Sequence, residues 1–281
     1  MQKKTLQAAL GHPETALTAF EVPTTVLSNK PVNAEYHLLV VSAPEEILAC
    51  TPGQFFNLLC PVSDAHSPYL RRPMSIYGFD RHKRRLSFLY KVAGEGTGAL
   101  TALKRGAILP VLGPLGHGYS IKDDWQKLLI VARGVGLATL APLAQYARQQ
   151  GRQVTAICSA RSQAALLSTD YFRQLGVNVI ALTDEDGTSD TQNLRSIIEK
   201  QIAENGVDAF YTCGSNRLLA MLQELSRHYG IEGQVALEQQ MACGLGMCQC
   251  CVRPFNRDGE QVQLRVCREG PVFDLMEAIP C

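Results

Sequence analysis

The chain has almost no net charge, no long hydrophobic run and no hydrolytic catalytic signature. Lys and Arg number 27 against 26 Asp and Glu, leaving +1. Such a balance gives no bulk attraction to nucleic acid or to an anionic membrane, and neither is expected as a partner. No uncharged apolar stretch reaches the roughly eighteen residues of a membrane span. The nearest, residues 128–144, is broken by Arg133, Gly134 and Gly136. The opening MQKKTLQAALGHPETAL carries two lysines but no continuous apolar core, so it does not read as a secretion signal. A cytoplasmic location is therefore expected. No catalytic triad, paired-carboxylate motif, internal repeat or low-complexity tract stands out. What remains is an ordinary folded composition, 46% hydrophobic and 19% charged over 281 residues, long enough for one large domain or two to three smaller ones.

Cysteine is the residue in excess, with 10 in the chain. Without a secretion signal, a disulfide framework is not expected. Cys50, Cys60, Cys158 and Cys213 are scattered and read as small buried hydrophobes. Cys243, Cys248, Cys250, Cys251 and Cys267 crowd one segment, which calls for metal or redox chemistry, and Cys281 reads as a terminal free thiol.

Residues 1–21 read as a loosely attached extension. Six short β-rich runs follow, Thr24–Leu27, Tyr36–Ser42, Gln54–Leu59, Met74–Phe79, Arg85–Tyr90 and Ile108–Leu112, with one helix at Ala99–Lys104. Six strands so spaced predict a small antiparallel barrel over 22–121. Beyond Trp125 strands alternate with helices: Lys127–Ala132, Ala138–Gln150, Gln153–Ser159, Gln163–Leu175, Val177–Leu182, Leu194–Glu204, Ala209–Cys213 and Asn216–Tyr229. This predicts a parallel-sheet α/β nucleotide-binding domain over 122–232. Residues 233–281 form a cysteine-rich module with one strand at Gln261–Val266.

In that module the spacing is Cys243, four residues, Cys248, two residues, Cys251, then fifteen residues to Cys267. It is the C-x4-C-x2-C…C pattern of plant-type [2Fe–2S] proteins. Gly244 and Gly246 permit positive φ and leave room for main-chain N–H groups to face sulfur. Zinc is the competing occupant, but its sites usually carry two C-x2-C knuckles and only one is present. Cys250 offers another pairing; the two-residue gap favours Cys251.

Two weaker signals precede it. In Arg71-Arg72-Pro73-Met74-Ser75-Ile76 a guanidinium and a hydroxyl bracket the entrance to a strand, suited to a diphosphate and a ring. Leu89-Tyr90-Lys91 closes a strand before Gly94-Glu95-Gly96-Thr97-Gly98 opens a helix, where unpaired N–H groups suit phosphate.

RRPMSIYGF, KVAGEGTGAL, LGPLGHGY and MACGLGMCQCC…VCREGPVF together resemble the electron-transfer subunits of type B dihydroorotate dehydrogenase, which are ferredoxin reductase-like flavoproteins. The resemblance runs from about residue 22 to 279. It implies FAD contacts at Arg72, Pro73, Met74, Ser75, Leu89, Tyr90, Lys91, Gly96 and Thr97, and cluster ligands Cys243, Cys248, Cys251 and Cys267. For NAD(H) it implies Gly134 and Gly136, the remnant of a Gly-Gly-Gly-x-Gly turn, and Cys213 and Gly214. Two departures stand out: Arg133 replaces a glycine, and Ser215 replaces a proline. Arg133 either folds outward to the dinucleotide phosphates or inward to block them; outward is the expectation. Ser159 and Arg161 suit a 2′-phosphate, yet NADH-using relatives also carry Arg there, and NADH is the expected donor. The implied activity is electron relay between NADH, FAD and the cluster. Its implied partner is an FMN-containing dihydroorotate dehydrogenase subunit of pyrimidine biosynthesis, in a heterotetramer. The same relay serving another flavin or iron–sulfur reductase is the alternative.

Overall fold

The computed structural model describes residues 19–280. Most of the expected N-terminal extension, and Cys281, lie outside the described residues.

Asn33 starts the first hairpin. Its Oδ1 accepts the N–H groups of Glu35 and Tyr36, both at 3.0 Å, turning β1 (Phe20–Pro31) into β2 (Tyr36–Ser42). The short helix α1 (Glu45–Leu48) leads to β3 (Phe55–Leu58), β4 (Arg72–Ser75), β5 (Gly78–Asp80) and β6 (Arg85–Lys91). Helix α2 (Glu95–Thr101) and β7 (Ile108–Leu115) complete the first half. The seven strands form one antiparallel sheet in the order β4-β3-β7-β1-β2-β6-β5. Six were expected, and the extra one has a clear cause. The run Met74–Phe79 does not stay in one strand but crosses from one sheet edge to the other. Ile76 N donates to Gln54 O at 3.1 Å, and Tyr77 N donates to Ser87 O at 2.9 Å. This crossing draws the two edges together and curls the sheet around Val26, Leu39, Phe56, Ile76, Phe88 and Val111, all fully buried.

The second half carries β8 (Lys127–Arg133), α3 (Gly136–Gln149), β9 (Gln153–Ala160), α4 (Thr169–Gln174), β10 (Asn178–Thr183), α5 (Thr191–Asn205), β11 (Ala209–Cys213), α6 (Asn216–Tyr229) and β12 (Glu232–Ala236). The helix expected over Gln163–Leu175 is interrupted. Ser168 sits at φ +63° between a 3-10 turn (Gln163–Ala165) and α4. Strand order is β10-β9-β8-β11-β12, with one more strand beyond β12. The first five run parallel, and a short last strand, β15 (Val272–Asp274), pairs antiparallel with β12. Buried side chains of α3 and α4 cover one face, and those of α5 and α6 the other. In chain order the parallel strands read 3-2-1-4-5. The order reverses between β8 and β11, the place where such sheets bind ligands.

The sheet thus continues past residue 232. Between β12 and β15 the chain makes the cysteine loop and a hairpin, β13 (Val252–Arg257) and β14 (Glu260–Arg265). Asp258 and Gly259, at φ +54° and +82°, supply its two-residue turn. Phe255 stacks on Phe273 at 4.2 Å between ring centres, so the hairpin shares a core with the parallel sheet. No helix among the described residues is long and apolar enough to cross a membrane.

Candidate functional site

A cavity of about 260 Å³ lies where the three parts of the chain meet. Pro73, Met74 and Ser75 of β4 and Leu89, Tyr90 and Lys91 of β6 form its barrel wall. Val135, Ala138 and Thr139 form a second wall, at the turn after β8 and the start of α3. Leu237, Glu238, Gln239 and Met241, with Pro271, form the third. Six of the nine expected flavin residues therefore face one space. Tyr90 donates its hydroxyl to Asn29 Oδ1 at 3.1 Å, and burial pushes that hydroxyl up to about 12. Lys91 pairs with Glu35 at 3.0 Å.

Arg72, Gly96 and Thr97 are not part of this lining. They gather beside it, at the end of β4. The Arg72 side chain lies across the backbone of Gly96 so closely that a Cβ there would sit 2.5 Å from its Nε. Thr97 Oγ1 accepts the N–H groups of Ala93 at 3.0 Å and Gly94 at 3.1 Å, fixing the turn.

The nicotinamide candidates form a third group. Gly134 adopts φ +58° and donates its N–H to Ser159 O at 3.0 Å. Gly136 opens α3 against β11, where a Cβ would lie 2.6 Å from the Cys213 carbonyl oxygen. Gly214, at φ +96°, faces the same crossing. Cys213 is buried, which pushes its thiol far above the usual range. Arg133 does not fold outward as expected. Its guanidinium lies along the strand ends, bound to Asp184 and Ser159.

The four expected cluster ligands converge as two pairs. Cys251 Sγ lies 3.2 Å from Cys267 Sγ, and the Cys267 N–H points to Cys251 Sγ at 3.4 Å. Cys243 shares a side-chain hydrogen bond with Cys248 and acts electrostatically on Cys267. Burial alone would raise the Cys243 thiol, but the N–H groups of Cys248, Leu245 and Met247 outweigh it and hold the thiol down to about 6. Burial first, then Cys251, pushes Cys267 up to about 12. Gly244 and Gly246, at φ +72° and +82°, allow the wrap. Cys250 is exposed and outside both pairs. Among the described residues, no three His, Cys, Asp or Glu side chains form the shell of a single metal ion. Two thiol pairs suit a binuclear cluster, because each of its irons takes two thiolates beside the bridging sulfides.

Residues 238–278 match the family model of the iron-sulfur cluster binding domain of dihydroorotate dehydrogenase B. Across 254 residues the chain is 34% identical to the dihydroorotate dehydrogenase B (NAD(+)) electron transfer subunit of Caldanaerobacter subterraneus subsp. tengcongensis, covering 90% of this chain and 96% of that one. The chain belongs to this family. The subunit from Bacillus cereus strain Q1 is 32% identical over 261 residues, with the same coverage. Family membership agrees with the fold. A chain of the NADH-dependent reduced ferredoxin-NADP oxidoreductase structure superposes with a TM-score of 0.75 at 23% identity, covering 92% of this chain and 90% of that one. Ferredoxin-NADP+ reductase of Plasmodium falciparum gives 0.58 at 13% identity, over 78% and 96%.

Two contributors escaped the sequence reading of this family member. Leu237, Glu238 and Gln239, which no motif marked, form a cavity wall together with Met241. Asn57, a polar residue within the buried run Phe55–Leu58, donates to the Cys243 carbonyl at 3.0 Å. Its polarity inside an apolar strand was the available signal.

Proposed function

We propose that this chain is an electron-transfer subunit linking NAD(H) to the catalytic subunit of a dihydroorotate dehydrogenase in pyrimidine biosynthesis. The observation that carries the reading is the single cavity walled by the flavin strands, the dinucleotide turn and the segment running into Cys243. When bound, FAD would exchange a hydride with NAD(H) and single electrons with a [2Fe–2S] cluster, joining two-electron to one-electron chemistry.

Each group of residues then has a task. Pro73, Met74, Ser75, Leu89, Tyr90 and Lys91 seat the flavin ring. The cavity is smaller than the roughly 300–1,000 Å³ typical for a whole ligand, so Arg72, Gly96 and Thr97 beside it would hold the rest of FAD, the Arg72 guanidinium serving the diphosphate. Gly134, Gly136, Cys213 and Gly214 admit NAD(H) from the opposite wall, and Cys243, Cys248, Cys251 and Cys267 hold the cluster. The functional division is 22–121 for FAD, 122–232 for NAD(H) and 233–281 for the cluster, after an extension at 1–21. The last boundary follows cofactors, since β12 and β15 share the nucleotide-binding sheet.

The partner in this reading is an FMN-containing catalytic subunit, two of each chain forming a heterotetramer in the cytoplasm. Nine cysteines outside any disulfide, among the described residues, are in keeping with a reducing compartment. Reconstitution with that partner tests the reading: the complex should couple dihydroorotate oxidation to NAD+ reduction. A stable complex that fails to couple the two would overturn it.

A further inference from the structure

Arg133 ends β8 at the start of the turn into α3, and both terminal nitrogens of its guanidinium are engaged. Nη1 donates to Ser159 Oγ at 2.9 Å and to Asp184 Oδ1 at 3.1 Å, while Nη2 donates to Asp184 Oδ2 at 2.6 Å. Arg133 is level with Ser159 in the β8–β9 ladder, and Ala160 is level with Thr183 in the β9–β10 ladder. The three side chains thus form a bar across the C-terminal ends of three neighbouring strands.

Asp184 is held in place independently of Arg133. The Ser189 hydroxyl also donates to its carboxylate. The loop behind it is tightly wound: Thr183 N donates to Thr188 Oγ1 at 2.9 Å, and Asn193 Nδ2 donates to Thr188 O at 2.7 Å. Neighbouring Asp186 accepts from the Thr183 hydroxyl at 2.6 Å and from Gln163 Nε2 at 2.9 Å. Hydrogen bonds from Arg133 first, then Ser189, hold the Asp184 carboxyl below its usual range. Both members of the ion pair are partly open to solvent. Exposed pairs contribute little to stability, and the sheet already has its main-chain ladder. Holding the strands together does not explain the arrangement.

Its location does. In an open parallel sheet of this order, a dinucleotide places its diphosphate at the first strand–helix turn and its adenosine ribose over the end of the next strand. Here these are the turn after β8 and the end of β9, where Ser159 lies. The 2′-substituent of the ribose, a hydroxyl in NADH and a phosphate in NADPH, falls at the bar. A hydroxyl requires no cation. A phosphate would meet the carboxylate of Asp184, with the Arg133 guanidinium already taken in a two-pronged pair. Arg161 is the other cation there, and its charge too acts on Asp184.

We propose that the Arg133–Asp184 pair is a specificity determinant that favours NADH over NADPH by withholding a guanidinium from the 2′-phosphate. This rests on the NAD(H)-binding reading of residues 122–232. The test is calorimetric titration of the full-length, FAD-loaded protein with ADP-ribose and 2′-phospho-ADP-ribose, neither of which carries a hydride. The unaltered protein should bind ADP-ribose about ten-fold or more tightly than its 2′-phosphate. Asp184→Asn should tighten the 2′-phosphate roughly ten-fold, as a charge-assisted hydrogen bond becomes available, and leave ADP-ribose within about three-fold. Adding Arg133→Ala should abolish that gain. A gain retained in the double variant would trace the effect to lost negative charge and overturn the role of Arg133. An unchanged ratio in Asp184→Asn would overturn the proposal and leave the NAD(H) reading standing. If the unaltered protein binds neither compound, both fall.

Discussion

Asn57 Nδ2 donates to the main-chain oxygen of Cys243 at 3.0 Å, joining the barrel to the cysteine loop across 186 residues of sequence. Asn57 is 2% exposed, and a Cβ on Gly244 would collide with the same amide. In the β3–β4 ladder Asn57 is level with Pro73, so one ladder position connects a flavin-binding candidate to the first cluster ligand.

Replacing this amide should loosen the loop. Asn57→Ala leaves the Cys243 carbonyl without that donor, a loss of about 1–3 kcal/mol for a buried polar group. The expected result is a cluster that bleaches several-fold faster in air, followed by visible circular dichroism, while FAD stays bound. Equal cluster lifetimes would show that the bond holds nothing in place.

The paired thiols predict cofactor content. Purified without oxygen, the chain should carry about two irons and two acid-labile sulfides on its four cysteines, with about one FAD. Cys251→Ser should lose most of the iron, and Cys250→Ser should keep it. Iron and sulfide analysis of both variants decides the ligand assignment, and the reverse pattern would refute it.

Arg72→Ala removes the cation lying over Gly96. A charge-assisted contact to diphosphate contributes about 1.5–3 kcal/mol, so FAD affinity should weaken roughly ten- to a hundred-fold. Fluorescence titration of the flavin-depleted protein measures this. Unaltered affinity would return the segment to being an ordinary strand entrance.

Two glycines of the dinucleotide turn should respond differently. Gly136→Ala forces a Cβ to 2.6 Å from the Cys213 carbonyl oxygen, an overpacking that costs about 1–3 kcal/mol. Gly134→Ala meets no atom within 4 Å, but keeps φ at +58°, which costs about 1–2 kcal/mol in backbone strain alone. NAD+ titration should show Gly136→Ala as the more damaging, with β11 displaced. Equal effects in thermal melts and in binding would mean that the turn tolerates the shift.

Much of this arrangement was legible beforehand because it depends on local pattern. The strands Tyr36–Ser42 and Ala209–Cys213 and the helix Asn216–Tyr229 have the bounds expected from periodicity and turns. The ligand cysteines announced themselves by spacing. What stayed hidden was long-range. Met74–Phe79 looks like one strand because nothing local marks the point where Ile76 and Tyr77 change partners. Arg133 looked free to reach outward because its companion, Asp184, lies 51 positions away. The hairpin beyond the cysteines was half missed, although Asp258-Gly259 is a strong local turn signal.

Residues 272–274 return to β12 after the excursion through the cysteine loop and its hairpin. The excursion leaves from one strand of the nucleotide-binding sheet and ends on the next, so both of its ends are anchored in the same ladder. Its Phe255 also shares a core with Phe273 of that last strand. Melting should therefore be cooperative across the two. Stripping the metal should raise amide exchange not only along the hairpin but also in β12 and β15, while the barrel strands keep their protection.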